Sequence, residues 1–125
     1  MERLKFRVWD KNVPANTSEK ELSNPTGMMI PWHYIKESTY LISAINGNYP
    51  IMQFIDREDS EGVDMYEGDI IRNNGFEYLI VWDDRTSAYR AKSISNGSLW
   101  TMNSANIGLA LIVGNMYQNP NLLIC

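Results

Sequence analysis

The chain has 125 residues, of which 44% are apolar and 21% are charged, and its formal net charge is −4 at pH 7. This composition is ordinary for a folded domain with a core, so it excludes disorder of the whole chain. The negative charge gives no general attraction for nucleic acid, although a local basic surface could still bind it. A single cysteine and a single histidine exclude an intramolecular disulfide and a multi-cysteine zinc site. We therefore predict no cofactor and no metal centre.

No apolar stretch approaches the length of a membrane span, and no amino-terminal run has the order of a signal peptide. The longest candidate, residues 107–113, contains Gly108 and has the length of a strand. We expect a cytoplasmic protein with no membrane partner.

The first predicted element is a strand near the amino terminus. Residues 3–9 alternate basic and apolar side chains with period two, which predicts a strand with one buried face. The opposite face carries Arg3, Lys5 and Arg7 and could contact the phosphates of a nucleic acid. The favoured interpretation is that this basic face is solvated or pairs with an acidic segment further along the chain.

A long polar connection follows over residues 10–31, and within it residues 17–22 are the one candidate for a helical turn. Residues 28–35 and 39–45 then hold enough apolar and aromatic side chains to predict two strands. His33 has no nucleophile or carboxylate arranged around it in the sequence. We interpret it as a surface or capping histidine.

Residues 51–55 predict another strand, after which the composition changes. Between residues 56 and 69 there are seven acidic side chains and one base, Arg57. Oxygen ligands at this density could hold calcium, but their order does not follow the alternate-residue pattern of a helix-loop-helix calcium site. A solvated hairpin loop, or a linker between two lobes, is favoured.

The most informative stretch of the chain is a hairpin in its second half. A tight Glu-Gly-Asp turn at residues 67–69 leads into a short apolar strand at 70–71, and an Asn-Gly turn at 74–75 reverses the chain. Residues 76–82 then form a longer strand rich in β-branched and aromatic side chains. Since both of its faces are apolar near the carboxyl end, we expect it to be covered on both faces there and to lie at the centre of the core.

Three further strands are predicted at residues 88–94, 99–102 and 107–117, the last with Gly108 and Gly114 as bulge or bend positions. Five short strands with tight turns in about fifty residues indicate a small, strongly bent barrel.

The predicted fold is mainly β, with two β-rich parts. An amino-terminal β-rich lobe covers residues 1–55, an acidic loop or linker covers 56–64, and an SH3-like small β-barrel covers 65–125.

Three blocks of sequence carry a resemblance to a known family. They are the opening Lys-Phe-Arg-Val-Trp-Asp at residues 5–10, the stretch from Gln53 to the Tyr-Glu-Gly-Asp-Ile at 66–70, and residues 113–123, which contain Gly-Asn-Met-Tyr-Gln-Asn-Pro. In order and spacing they resemble the YopX family, which is encoded by phages and prophages of low-GC Gram-positive bacteria. In the second block Asp56 stands where that family usually has glycine.

The resemblance to the YopX family implies a β-rich fold with an SH3-like carboxyl-terminal half. It also implies a phage or prophage origin and a soluble protein in the bacterial cytoplasm. It implies no activity.

The four tryptophans and seven tyrosines are more than one small core requires. Because both residue types are enriched at protein interfaces, we expect some of them to bind another protein or a second copy of the chain. The predicted interaction surface includes Trp32, Tyr89 and Trp100, and its partner is a second copy of the chain or a host or phage protein. No catalytic residue is predicted, and the protein is expected not to be an enzyme.

Two other functions are kept as alternatives. One is a nucleic-acid-binding accessory factor that uses the basic face of residues 3–7, whose binding would weaken strongly with salt. The other is a hydrolase that uses paired carboxylates, with Asp83 and Asp84 after the central strand and Glu67 and Asp69 from the turn as candidates.

Overall fold

The structure is a computed structural model, and it describes residues 4–11, 27–36, 39–47, 49–103 and 107–124. The described chain is mostly strand, so the prediction of a mainly β protein is confirmed. It divides into two compact units, Met1–Gln53 and Phe54–Cys125. The strands are β1 (Phe6–Asp10), β2 (Met28–Ile30), β3 (Ile51–Glu58), β4 (Asp64–Tyr66), β5 (Asp69–Asn73), β6 (Phe76–Asp83), β7 (Ala88–Ser93), β8 (Leu99–Thr101) and β9 (Leu111–Asn115).

In the first unit, β1 is a central strand that pairs antiparallel with β2 on one side and with the first residues of β3 on the other. Val8, Trp9 and Asp10 are all buried, so the prediction that β1 has only one buried face is wrong. The ring of Trp9 lies so close to Gly27 that a Cβ there would sit 2.3 Å from it. The chain at Gly27 therefore covers the face that the sequence pattern leaves to solvent.

The predicted strands at residues 28–35 and 39–45 are wrong beyond Ile30. Pro31 has an extended backbone, and its carbonyl oxygen accepts the N–H groups of Tyr34 and Ile35, which begins a helix. These segments form the helices α1 (Trp32–Ile35) and α2 (Tyr40–Ile45), and the described residues also include a short 3-10 helix at Pro120–Leu123.

The packing of these segments explains why helices form there. Ile35 is fully buried and Trp32 half-buried, whereas His33 and Tyr34 are exposed, which is the spacing of a helix and not of a strand. Packing of this face overrides the local strand tendency of the aromatic side chains. The core of the unit is Val8, Ile30, Ile35 and Ala44, with Trp32, Tyr49 and Ile51 packed against it.

The second unit contains a curled antiparallel half-barrel with the strand order β8-β7-β6-β5-β9. β6 is its central strand, as predicted. Asn74 and Gly75 have φ values of 54° and 82°, so the predicted two-residue turn has the doubly positive φ of a type I′ hairpin. The pairing of β5 with β9 shifts register beside Gly114, where the sequence predicts a bulge or bend. Within the described ranges, β8 and β9 are the two edges of the sheet.

The core of the second unit lies on one face of this sheet. Ile80 of β6 is buried at its centre, but Trp82 is exposed, so the expected cover on both faces at the carboxyl end of β6 is not present. The reason is that β6 ends at the turn that follows Asp83, where little of the chain lies over the indole. The buried cluster is Met65, Ile71, Ile80, Ala91, Met102, Ile107 and Ala110.

The acidic stretch is built into a hairpin of the second unit. β3 runs on to Glu58 and pairs antiparallel with β4, and residues 59–63 form the turn between them. A register irregularity in this pair surrounds Asp56, whose φ is 61°. That is the left-handed region, in which glycine is favoured.

The helical candidate at residues 17–22 lies outside the described residues, as does Arg3 of the basic face. None of the helices in the described ranges has the length and apolar character needed to cross a bilayer.

Candidate functional site

A cleft of about 390 Å³ opens on one face of the five-stranded sheet. Residues directly opposite each other on neighbouring strands share a face, and Tyr78 pairs with Ser93 while Ala91 pairs with Trp100. These side chains therefore converge on the same side of the sheet as the core. We call this site the aromatic cleft, and it is lined by Asn73, Asn74, Phe76, Tyr78, Ala91, Ser93, Ser95, Asn96, Ser98, Trp100 and Ile107.

Aromatic rings are the main apolar surface of the cleft. Phe76 is 60% exposed and Trp100 is 46% exposed. Tyr78 is half-buried and packs against the core cluster beneath. Two large rings, one on β6 and one on β8, thus stay open to solvent in the lining of one cleft, and a shared exposed apolar surface of this kind is typical of a binding site.

The indole of Trp100 is held by a short chain of hydrogen bonds. Its Nε1 donates to Ser98 Oγ at 3.0 Å, and Ser98 Oγ donates to Asn96 Oδ1 at 2.7 Å. Asn96 Oδ1 also accepts the backbone N–H of Ser98 at 2.9 Å, which fixes the turn before β8. Because the ring N–H is engaged within the protein, Trp100 offers a ligand the flat faces of its ring.

The described lining of the cleft carries no formal charge, since it contains no Asp, Glu, Lys, Arg or His. Three asparagines and three serines supply its polar groups, and these side chains both donate and accept hydrogen bonds. The neighbouring ion pair between Arg72 and Glu77 belongs to the opposite face of the sheet, because both residues alternate with cleft residues along their strands. The site therefore suits an uncharged ligand or partner.

Of the three predicted interaction residues, only Trp100 lines this cleft. Tyr89 forms an edge-to-face pair with Trp82, with ring centroids 5.0 Å apart, and it packs against the core of the second unit. Burial raises the pKa of the Tyr89 phenol, and the negative charge of Glu67 raises it further.

Trp32 belongs to the first unit. Its ring meets Phe6 edge-to-face at 5.9 Å, and it packs against the core there. Trp32 is half-buried, so much of its ring is used inside that unit.

The carboxylates at the end of β6 have local hydrogen bonds. Asp83 accepts the hydroxyl of Thr86 at 2.7 Å and the backbone N–H of Arg85 at 3.1 Å, and its carboxylate lies 3.5 Å from Arg90. The Thr86 hydroxyl and these other groups hold the pKa of Asp83 below its ordinary value. Asp84 accepts the indole N–H of Trp82 at 2.7 Å. Both side chains thus stabilise the turn that ends β6.

Asp69 lies at the start of β5 and is buried. Its Oδ2 accepts the backbone N–H of Tyr66 at 2.8 Å, which closes the Tyr-Glu-Gly-Asp turn. The described residues contain no group of three or more His, Cys, Asp or Glu side chains placed to hold a metal ion.

The polar rim of the cleft is the part that sequence reasoning does not find. Asn73 is the last residue of β5 and Asn74 lies in the turn that follows, while Ser95, Asn96 and Ser98 come from the β7–β8 turn. The sequence predicts both turns, but it does not show that they meet. One signal could indicate that the two turns meet. It is the period-two alternation along the strands, which places Phe76, Tyr78 and Trp100 on the face beside the turns.

The fold and the site together define a small β protein with a curled half-barrel and a neutral aromatic cleft. A model of the YopX protein family matches residues 5–124. The chain therefore belongs to the YopX family, and the resemblance seen in the three sequence blocks is confirmed.

One solved structure supports the fold. It is the crystal structure of protein EF1440 from Enterococcus faecalis, which is similar to this chain with a TM-score of 0.53 and 21% sequence identity. The similarity covers 96% of this chain and 97% of that chain, and at this identity it concerns the fold alone. The comparison with curated proteins gives no match.

Proposed function

We propose that the protein is a non-enzymatic accessory protein of a phage or prophage, which acts in the bacterial cytoplasm by binding proteins, including a second copy of itself. The observation that supports self-association is strand β8. It is an edge of the sheet within the described residues, and its Leu99 and Trp100 are each 46% exposed. An exposed edge with apolar side chains is a template for pairing with another strand.

The hydrogen bonds of β7 with β8 indicate which backbone groups would pair. Ser93 N–H donates to the Ser98 carbonyl at 2.8 Å, and bonded and non-bonded pairs alternate along an antiparallel ladder. Trp100 is therefore a bonded partner of Ala91, while Leu99 directs its N–H and carbonyl away from β7. A second β8 would pair antiparallel across Leu99, which gives the two-fold symmetry common in homodimers.

The non-enzymatic part of the proposal is supported by the carboxylates. Asp83 and Asp69, two of the four candidates for catalysis, accept hydrogen bonds from the turns that they close. The described part of the basic face gives little support to nucleic-acid binding. Arg7 is half-buried there, and its Nε donates to Met52 Sδ at 3.4 Å.

The test is the solution mass, measured by light scattering. We expect the wild type to be a defined oligomer and Trp100→Ala to be a folded monomer, because the indole lies at the edge that would be covered. Leu99→Pro removes the outward N–H but leaves the Trp100 bonds to β7, so it should also give a monomer. Leu99→Ala is the matched control, which keeps the N–H and should remain oligomeric.

The far-ultraviolet circular dichroism of each variant establishes that it is folded. A monomeric wild type at the highest soluble concentration would reject self-association. A folded Leu99→Pro variant of wild-type mass would reject pairing through β8.

A further inference from the structure

We propose that the aromatic cleft binds a neutral nucleoside, with the base stacked on an exposed ring and its edge hydrogen-bonded by asparagine side chains. This inference does not rest on self-association, because the described lining of the cleft comes from one chain. Its volume of about 390 Å³ is in the range of small-molecule sites, which is roughly 300 to 1,000 Å³.

The first argument is the preorganised stacking surface. The chain of hydrogen bonds through Ser98 and Asn96 holds the Trp100 indole in place, and it occupies the one polar atom of that ring. Phe76, at the other side of the lining, is still more exposed. A rigid ring that offers only its face binds flat π systems, and nucleobases are recognised in this way.

The second argument is the pattern of polar groups. A carboxamide places a donor and an acceptor side by side, and this matches the paired donors and acceptors on the edge of a base. Asn74 is exposed at one rim. At the other rim, Asn96 contributes only its amide donor, because its Oδ1 already accepts the backbone N–H and the hydroxyl of Ser98. Ser93 and Ser95, whose hydroxyl oxygens are 3.2 Å apart, supply further groups that both donate and accept.

The third argument is charge, and it separates a nucleoside from a nucleotide or a nucleic acid strand. None of the described residues that line the cleft is Lys or Arg, and the molecule has a net charge of −4. Arg72 is paired with Glu77 on the opposite face of the sheet. A phosphate would therefore meet no cation here, whereas strand-binding proteins follow the backbone with positive charge.

The test is calorimetric titration of the full chain with adenosine, guanosine, cytidine and uridine. We expect saturable binding of at least one nucleoside and weaker binding of its 5′-monophosphate. Phe76→Ala should weaken binding by about tenfold or more, which is the usual effect of removing one stacked ring. Asn74→Asp keeps a side chain that tolerates positive φ but replaces the amide donor, so it should also weaken binding.

The matched control is Trp82→Ala, which removes an exposed aromatic ring outside the cleft and should leave the affinity unchanged. Glucose is the comparison ligand, because it offers hydroxyl groups without a π face. The proposal is overturned if no nucleoside binds, if glucose or the monophosphate binds as tightly as the nucleoside, or if folded Phe76→Ala binds with wild-type affinity. Light scattering on the same samples reports self-association separately.

Discussion

Asp59 shows at the scale of one residue how a charged side chain becomes part of the framework. Its Oδ1 accepts the backbone N–H groups of Glu61 and Val63, both at 2.9 Å, and its Oδ2 accepts that of Ile112 at 3.1 Å. The carboxylate thus closes the acidic turn and attaches it to β9. Burial by itself raises the pKa of Asp59, but the three N–H donors outweigh it and the pKa lies below the ordinary value.

This geometry predicts a destabilising effect for Asp59→Asn. An amide cannot accept at both of its polar atoms, so a buried N–H loses its acceptor, and we expect the free energy of unfolding at pH 7 to fall by about 1–3 kcal/mol. Because the folded pKa is depressed, the stabilisation is present above the unfolded pKa of about 3.9 and is lost as the pH falls through the folded value. Urea denaturation should therefore show the two proteins converging in stability towards acidic pH.

The control for this experiment is Glu61→Gln, which neutralises an exposed carboxylate in the same turn. It should change stability little at any pH. An Asp59→Asn variant as stable as the wild type at neutral pH would contradict the role of the carboxylate.

Asp56 has an unusual backbone conformation, with φ at 61°. The left-handed region costs about 1–2 kcal/mol for most residues, less for Asp and Asn, and essentially nothing for glycine. We predict that Asp56→Gly is at least as stable as the wild type and that Asp56→Val, which is branched at Cβ, is less stable by about 1–2 kcal/mol. Thermal melting of the three proteins measures this order, and a Val variant as stable as the Gly variant would show that the strain is absent.

At the scale of elements, the turn after β9 depends on two asparagines of the third sequence block. Asn115 Oδ1 accepts the backbone N–H groups of Tyr117 and Gln118, at 3.0 Å and 2.9 Å. Asn119 Oδ1 accepts the N–H of Asn115 at 3.1 Å. The asparagines therefore replace the strand partners that the chain loses as it leaves the sheet.

Gly114 is required by the same turn, because a Cβ there would lie 2.5 Å from Asn119 Oδ1. Gly114→Ala should push the Asn119 side chain away, break its bond to Asn115, and lower the free energy of unfolding by about 1–3 kcal/mol. In an Asn119→Ala background the same change should cost much less, since the clash and the bond are already gone. Additive effects in urea denaturation would show that Gly114 is needed for another reason.

At the scale of the whole molecule, the protein has two units, each with its own buried cluster. The first sequence block that identifies the family covers strand β1, whereas the end of the second and most of the third lie on turns that Asp69 and Asn115 close. These turn residues have a structural role in the fold. The cleft and the β8 edge use residues outside those blocks, including Phe76, Leu99 and Trp100.

The sequence by itself determined the strands and turns of the second half from the Glu-Gly-Asp turn to β8, and it predicted β9 too long, since that strand begins at Leu111 and not at residue 107. Their signals are local, since the Asn74-Gly75 dipeptide specifies its turn and period-two alternation specifies the strands beside it. Only the tertiary structure decided that residues 32–35 and 40–45 are helical, because packing against β1 outweighs their weak local preference. It also decided that the turns at residues 73–74 and 95–98 face one cleft, since that depends on which strands are neighbours in the sheet, and pairing between distant segments leaves no mark in local sequence.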